Sequence, residues 1–407
     1  MQSEEKGVRI VIRPTQTKQV VQAVYKSYIK RFGWVLLLVV IAVVVLFYSS
    51  KRDIEELKIP IAEQEGEEPI AEEPSPEKEV ATLVERDLYV MGLNELLRFR
   101  FTSPSVLELQ NKIAEKGKKA VFEKNIYIAI DNFIVVKNTE LRNVDEYESK
   151  YRGVSLNIID FDISDDKLYL ISVRGLDIVN LSLNRSNFVP DLTGDKILAV
   201  GNVAYILDSG SKAFSIIKIS TALERINKSV SISMPGNPVM DFDENNDKLY
   251  ILAPELSGGD INFKLFTFDT LLNQLSSVDL FKYKKVIITD DSAKELNEIN
   301  ELGDIIINDN KIYVLGNLRY FTEKTERAVK EERWLPKLLI FDFDGNLVGF
   351  TNLGEAQGSK VSNDMFKADD YIIVGSSGVF AVDISNAREP KVTAEGTLFR
   401  SALSIDD

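Results

Sequence analysis

Seven times along the chain a short polar turn is followed by an apolar–tyrosine–apolar step. The copies are Asp87-Leu88-Tyr89-Val90, Asn125-Ile126-Tyr127-Ile128, Asp166-Lys167-Leu168-Tyr169-Leu170, Asn202-Val203-Ala204-Tyr205-Ile206, Asp247-Lys248-Leu249-Tyr250-Ile251, Asn310-Lys311-Ile312-Tyr313-Val314 and, slightly out of register, Asp370-Tyr371-Ile372-Ile373. Successive tyrosines stand 38, 42, 36, 45, 63 and 58 residues apart. Behind each copy comes a second extended run: 97–101, 133–136, 176–183, 214–219, 264–269, 337–342 and 379–384. Alternation and β-branched residues, with Asp, Asn and Gly between the two runs, specify hairpins. A unit of about 40 residues built of short antiparallel strands has the length of a propeller blade. One blade cannot bury both its faces, so the units must stack in a ring. The predicted fold is all-β, a β-propeller over residues 83–407. It has seven blades, or six if the first unit is not one; a two-sheet sandwich is the alternative. The first unit is the weakest, because it runs into a predicted helix at 104–116, with Ser103 as N-cap and Pro104 in the first turn. The tyrosines are expected to pack between blades.

A second feature constrains where such a ring sits. Residues 32–50, FGWVLLLVVIAVVVLFYSS, carry no charge. At helical rise they reach roughly 28 Å, close to the hydrocarbon thickness of a bilayer. Trp34 at one end and Phe47 and Tyr48 at the other mark the headgroup levels. The run predicts a single transmembrane helix. Residues 1–31 are basic, with Lys6, Arg9, Arg13, Lys18, Lys26, Lys30 and Arg31 against Glu4 and Glu5, which puts the N-terminus in the cytoplasm. The long charged leader and the lack of a small-x-small site fit an uncleaved signal-anchor. Within the tail, 7–13 has the alternation of a short strand, and 17–31 places Val20, Val21, Val24, Tyr25, Tyr28 and Ile29 on one helical face. That face suits an amphipathic helix on anionic lipid or an extension of the spanning helix. Residues 51–82 form an acidic Pro/Glu-rich linker that holds the C-terminal domain outside the membrane.

Composition removes most chemistry. The chain has no histidine and no cysteine, which excludes Ser-His-Asp and Cys-His catalysis, histidine general bases and disulfides. Abundant Glu, Lys and Ile would suit a thermophile. A net charge of −14, with the acidity outside the membrane, argues against nucleic acid.

The last unit, 375–396, resembles the LVIVD-type propeller repeat of prokaryotic surface proteins. The likeness rests on Gly378, the alternating Val379-Phe380-Ala381-Val382, Asp383, Ser385 and the Pro390-Lys391 step. Gly175 to Ser182 is similar to a more divergent copy. The resemblance implies a surface propeller used for interaction, without a defined ligand.

Three candidate sites stand out. Asp241, Asp243, Asn245 and Asp247 alternate as in a calcium loop, but lack its central glycine and distant glutamate. The look-alikes Asp160-Phe-Asp162 and Asp342-Phe-Asp344 suggest that all three are the repeat's turns; otherwise no metal or cofactor is expected. Two long insertions interrupt the repeat. Residues 280–303 include a predicted acidic helix, SAKELNEINEL. Residues 317–336 are charged and aromatic, and Arg319, Tyr320, Arg327, Arg333 and Trp334 are the candidate partner-binding residues, against the plainer reading of a charged hairpin folded over its blade. Asn180, Asn184 and Asn227 stand in N-x-S/T sequons.

The expectation is a non-enzymatic, membrane-anchored propeller that scaffolds proteins in a cell-envelope complex. The alternative is a glycan receptor or a carboxylate-based glycoside hydrolase, which needs two acids to converge near the axis. A third option makes the cytoplasmic tail the functional end and the propeller a sensor.

Overall fold

The computed structural model describes residues 85–406 apart from short internal stretches, chiefly 221–224, 284–298, 325–328, 358–363 and 398–401. The basic tail, the apolar run 32–50 and the linker lie outside the described residues. No helix among the described residues is long and apolar enough to cross a membrane.

Within the unit Val80–Asp407, seven four-stranded antiparallel sheets form seven blades. Blade 1 contains β1 (Glu85–Gly92), β2 (Glu95–Thr102) and β3 (Val106–Ala114). Blade 2 runs through β4 (Ala120–Phe122), β5 (Ile126–Ile130), β6 (Phe133–Lys137) and β7 (Asn143–Glu148). A small hairpin, β8 (Lys150–Tyr151) and β9 (Val154–Ser155), leads to blade 3: β10 (Ile158–Ser164), β11 (Lys167–Ser172), β12 (Gly175–Asn180) and β13 (Arg185–Pro190). Blade 4 is β14 (Lys196–Val200), β15 (Val203–Ser209), β16 (Phe214–Ser220) and β17 (Arg225–Ile232). Blade 5 is β18 (Val239–Asp243), β19 (Lys248–Ser257), β20 (Asp260–Asp269) and β21 (Gln274–Tyr283). Blade 6 is β22 (Glu301–Asn308), β23 (Lys311–Lys324), β24 (Val329–Asp342) and β25 (Leu347–Asn352), with the two-residue β26 (Ala356–Gln357) added to β24. Blade 7 is β27 (Asp364–Ala368), β28 (Tyr371–Gly375), β29 (Gly378–Asp383) and β30 (Lys391–Thr397). The inner strand of blade 1 comes from the far end of the chain: β31 (Ala402–Asp406) pairs with β1, Val90 opposite Ile405. Seven blades are therefore complete.

The tyrosine strand is the second strand of each blade, and the run behind it is the third. Tyr89, Tyr127, Tyr169, Tyr205, Tyr250 and Tyr313 are all buried. Each belongs to a different one of seven apolar layers, and each layer is shared by two neighbouring blades. The seventh layer joins blade 7 to blade 1 through Phe99, Phe101, Ile373 and Ala381. Packing between blades is what the tyrosines do, as their place in the repeat predicts.

Local chemistry explains the turns. Asp165, Asp166, Asp309 and Asn310 take positive φ between 50° and 58°, the left-handed region that paired hairpin turns demand and that Asp and Asn tolerate. Gly175 opens β12 at φ 153°, and a Cβ there would lie 2.3 Å from the Val189 carbonyl oxygen. Gly378 opens β29 at the same place in its blade, where a Cβ would meet the Gly396 carbonyl at 3.0 Å. The close approach of the outer strand is why the glycine recurs in these two units.

Two expectations are corrected, and a third falls mostly outside the described residues. The predicted helix at 104–116 is an edge strand: Val106–Ala114 pairs along the whole of β2, and ladder pairing outweighs the N-terminal Ser-Pro signal. Most of the predicted acidic helix falls in 284–298, outside the described residues, and its last two residues, Glu301 and Leu302, already belong to β22. Residues 317–324 and 329–336 are not a loop inserted between strands but continue β23 and β24 as paired strands, Arg319 opposite Trp334, in line with the plainer hairpin reading.

Candidate functional site

The seven inner strands surround an axial channel of about 440 Å³. Their register places two layers of side chains on it. One layer holds Lys119, Asp160, Lys196, Asp304, Asp364 and Ser404; the other holds Val121, Asp162, Leu198, Asp241, Ile306, Phe366 and Asp406. An inner strand bonds its second strand along one edge and turns its other edge, with every second backbone N–H, to the axis. The aspartates accept those amides from the next blade.

The bridges run round the ring. Asp160 accepts from Ile197 N at 2.9 Å, and Asp162 from Ala199 N at 2.7 Å. Asp241 accepts from Ile307 N at 2.6 Å, Asp304 from Met365 N at 3.2 Å, and Asp364 from Ile405 N at 3.1 Å. Ser404 Oγ accepts from Ala120 N at 2.7 Å, and Asp406 from Phe122 N at 2.8 Å. Between blades 2 and 3 the polarity reverses, and Lys119 Nζ donates to Asp160 at 3.0 Å and to the Phe161 carbonyl at 2.8 Å. Six of seven junctions are bridged in this way on the axial side.

Burying so many acids shifts their titration. Burial pushes Asp241 up to about 7, against the amides of Ile307 and Phe242 that favour its charge. Burial also raises Asp162, opposed by Lys119 and the Ala199 amide. Burial, and then the neighbouring Asp364, hold Asp304 well above the carboxylate range. Asp364 is raised by burial too, against the Ile405 amide, Lys119 and a hydrogen bond to Asp304 that favour its charge. Lys119 is held above the ordinary lysine range: burial works against its charge, but Asp160 and Asp162 outweigh it.

The predicted sites are distributed differently. Asp160, Asp162 and Asp241 are not turn residues but channel-lining inner-strand residues. Asp243 does serve its turn, accepting from Asn245 N at 3.0 Å, Asn246 N at 3.3 Å and Asn246 Nδ2 at 2.7 Å. Asp247 takes φ 51° in that turn. The four calcium candidates Asp241, Asp243, Asn245 and Asp247 are therefore split between the axis and a self-satisfied turn. No group of three or more acidic side chains fit to hold a metal exists among the described residues. The look-alike at Asp342 is a turn, with Asn346 N and Nδ2 and Asp344 N donating to its carboxylate.

In the extended hairpin, Tyr320 and Trp334 are buried, and Tyr320 packs in the layer between blades 5 and 6. Arg319 is exposed, with its guanidinium 5.4 Å from the Trp334 ring centre and its backbone held by Asn300. Arg333 is half-buried, and Arg327 lies outside the described residues. The aromatic members of the candidate set thus belong to the core, and among its described members Arg319 is the exposed one.

Sequence reasoning missed the bridging role of the axial acids. A signal existed: Asp160, Asp241 and Asp304 each stand nine residues before the repeat tyrosine.

The fold and the channel define a class, a seven-bladed β-propeller closed by its C-terminal strand and bridged by carboxylates along its axis. Among solved structures the chain is similar to Kuenenia stuttgartiensis hydrazine synthase, at 13% identity over 67% of this chain and 77% of that one, with a TM-score of 0.50. It is also similar to a functionally unknown protein from Desulfotomaculum acetoxidans (14% identity, 76% and 97% covered, TM-score 0.46) and to the WD40 domain of Neurospora crassa Pan2 (10% identity, 71% and 81% covered, TM-score 0.44). At such identities the likeness concerns the fold alone. No family model and no curated protein sequence matches the chain.

Proposed function

We propose that the chain is a membrane-anchored scaffold, a propeller that binds protein partners of the cell envelope from the extracytoplasmic side. The observation that carries this reading is the use of the axial acids. Asp160, Asp162, Asp241, Asp304 and Asp364 each accept a backbone amide from the next blade, so they hold the ring closed. Glycoside hydrolysis by two carboxylates needs them about 5–10 Å apart, one of them free to attack or to activate water. The Asp304–Asp364 pair is at hydrogen-bond separation and is committed to Met365 and Ile405. That leaves the rigid ring and its loops as the functional surface. The apolar run 32–50 with its basic flank supports the anchor and the orientation, and the likeness to LVIVD-type surface propellers fits the same reading. The extended hairpin of blade 6 is the proposed contact, with Arg319 and Arg327 among its basic residues.

The test is capture from native membranes with full-length protein, wild type beside Arg319→Glu/Arg327→Glu. A stoichiometric envelope protein retained by wild type and lost from the variant is the expected result. Equal capture by both proteins removes the hairpin from the reading, and no stoichiometric partner for wild type removes the scaffold.

A further inference from the structure

Four of the axial bridges obey one positional rule, and one junction has no axial bridge of any kind. Ile197, Met365, Ile405 and Ala120 hold equivalent places: each pairs with the residue just after the tyrosine position of its second strand. Each donates its amide to the layer residue of the preceding blade: Asp160, Asp304, Asp364 and Ser404 respectively. Met240 holds this place in blade 5, opposite Ile251. The residue that should accept its amide is Lys196 of blade 4, and an ammonium has no lone pair to offer. The second layer offers no substitute there, because its residue is Leu198. Blades 4 and 5 are joined farther out, where Lys218 donates to the Thr270 carbonyl and Lys228 to Asn273, but not at the axis.

Lys196 is therefore a donor beside a donor, on the wall of a 440 Å³ channel. Its charge acts across the axis on Asp304 and Asp364. Blade 2 also has a lysine at this place, but Lys119 reaches acceptors of its own in blade 3, Asp160 and the Phe161 carbonyl. Blade 5 has Val239, and its junction is bridged instead from the second layer by Asp241. The junction of blades 4 and 5 has neither remedy. We propose that the junction of blades 4 and 5 is a binding site for a small carboxylic acid, whose carboxylate takes the acceptor place between Lys196 Nζ and the Met240 N–H. The ammonium balances the ligand's charge, and two donors suit two carboxylate oxygens. The rest of the ligand extends toward Asp241, Asp304 and Asp364. Those acids accept hydrogen bonds, so acids carrying an amino or hydroxyl group bind better than a plain aliphatic acid. The volume suits a molecule of a few carbon atoms with some water.

Thermal unfolding of the full-length protein in detergent tests this, with glycine, glycolate and acetate compared at ionic strength matched by chloride. A ligand that binds only the folded state raises Tm with its concentration. The expected order of shifts is glycine and glycolate above acetate, and acetate above chloride. Lys196→Met loses the response. Lys196→Asp places a built-in acceptor opposite Met240, so it is also unresponsive while its own Tm is at least that of Lys196→Met. A wild-type protein indifferent to all three acids overturns the proposal, as does a Lys196→Met protein that responds like wild type. Equal shifts from acetate and glycine overturn the part assigned to the three aspartates.

Discussion

At the level of single residues, the channel aspartates combine two opposed demands. Each must accept an amide, which favours the charged form, and each is buried among like charges, which favours the neutral one. For Asp241 burial wins, with a pKa of about 7 against an ordinary value of about 3.9. The consequence has a definite sign. Between about pH 4 and 7 the folded state binds a proton at Asp241 that the unfolded chain releases, so stability falls as pH rises through this window. The loss reaches on the order of 4 kcal/mol above pH 7, at about 1.4 kcal/mol per pKa unit. Asp304, raised in the same direction, adds to it. Asp241→Asn keeps an acceptor for the Ile307 amide without the titration. It is expected to raise stability at pH 8 by up to about 4 kcal/mol and to change little at pH 4. Denaturant unfolding at the two pH values checks this, and an equal effect at both would refute it. The sequence made the turn role of Asp243 and Asp342 readable, because Asp followed by Asn within four residues is local chemistry. It hid the role of Asp241, because its donor, Ile307, lies 66 residues away and only the closed ring brings them together.

Among the elements, the middle hairpin of blade 6 shows how composition misleads about exposure. Residues 317–336 mix charges with aromatics, and that mixture reads as a binding loop. Paired strands alternate their faces, however, so the same segment presents Leu318, Tyr320 and Leu335 to the layer between blades 5 and 6 while Arg319 faces outward. Trp334 is nearly fully buried, covered by Arg319 and lying opposite Ala356 of β26. Trp334→Ala is therefore expected to be a folding variant, destabilising by about 3–5 kcal/mol. Arg319→Glu loses a contact over an aromatic ring of about 0.5–1 kcal/mol and leaves the fold intact. Chemical denaturation of both variants separates the roles, and a Trp334→Ala protein as stable as wild type would return that ring to the surface. The tyrosine strands were legible because their signal is short-range: a turn, then an apolar–Tyr–apolar step. The third strands followed for the same reason. The outer strand β3 was misread as a helix because an edge strand has one ladder and a solvated face, and Val106–Ala114 is mostly exposed, with no strict alternation to announce it.

For the whole molecule, stability depends on a closure that no stretch of sequence displays by itself. The ring closes only if every blade has its inner strand, and here β31 supplies the one that blade 1 lacks. The strand is five residues long, yet it carries three kinds of contact at once: the ladder to β1, the Ile405 amide to Asp364, and the Ser404 and Asp406 side chains to the amides of Ala120 and Phe122. The two side-chain contacts join residues 284 positions apart in the chain. Without β31, β1 would present an unpaired edge to the channel, and blades 7, 1 and 2 would lose the bridges that hold their inner strands in register. Ile405 would also leave the apolar layer between blades 7 and 1. Deleting residues 402–407 from the full-length chain is therefore expected to lower Tm by at least 10 °C, because a change of about 1 kcal/mol moves Tm by roughly 2–4 °C in domains of 150–250 residues and several kcal/mol are removed here. Hydrogen exchange should show the loss first in β1, β4, β27 and β28, the strands that β31 touches, and only later in blades 4 and 5. Protection that falls uniformly around the ring would mean that the seven blades unfold as one unit and that closure is not their weakest point. An unchanged Tm would mean that the four remaining bridged junctions suffice, and that the axial carboxylates rather than the closing strand hold the propeller together.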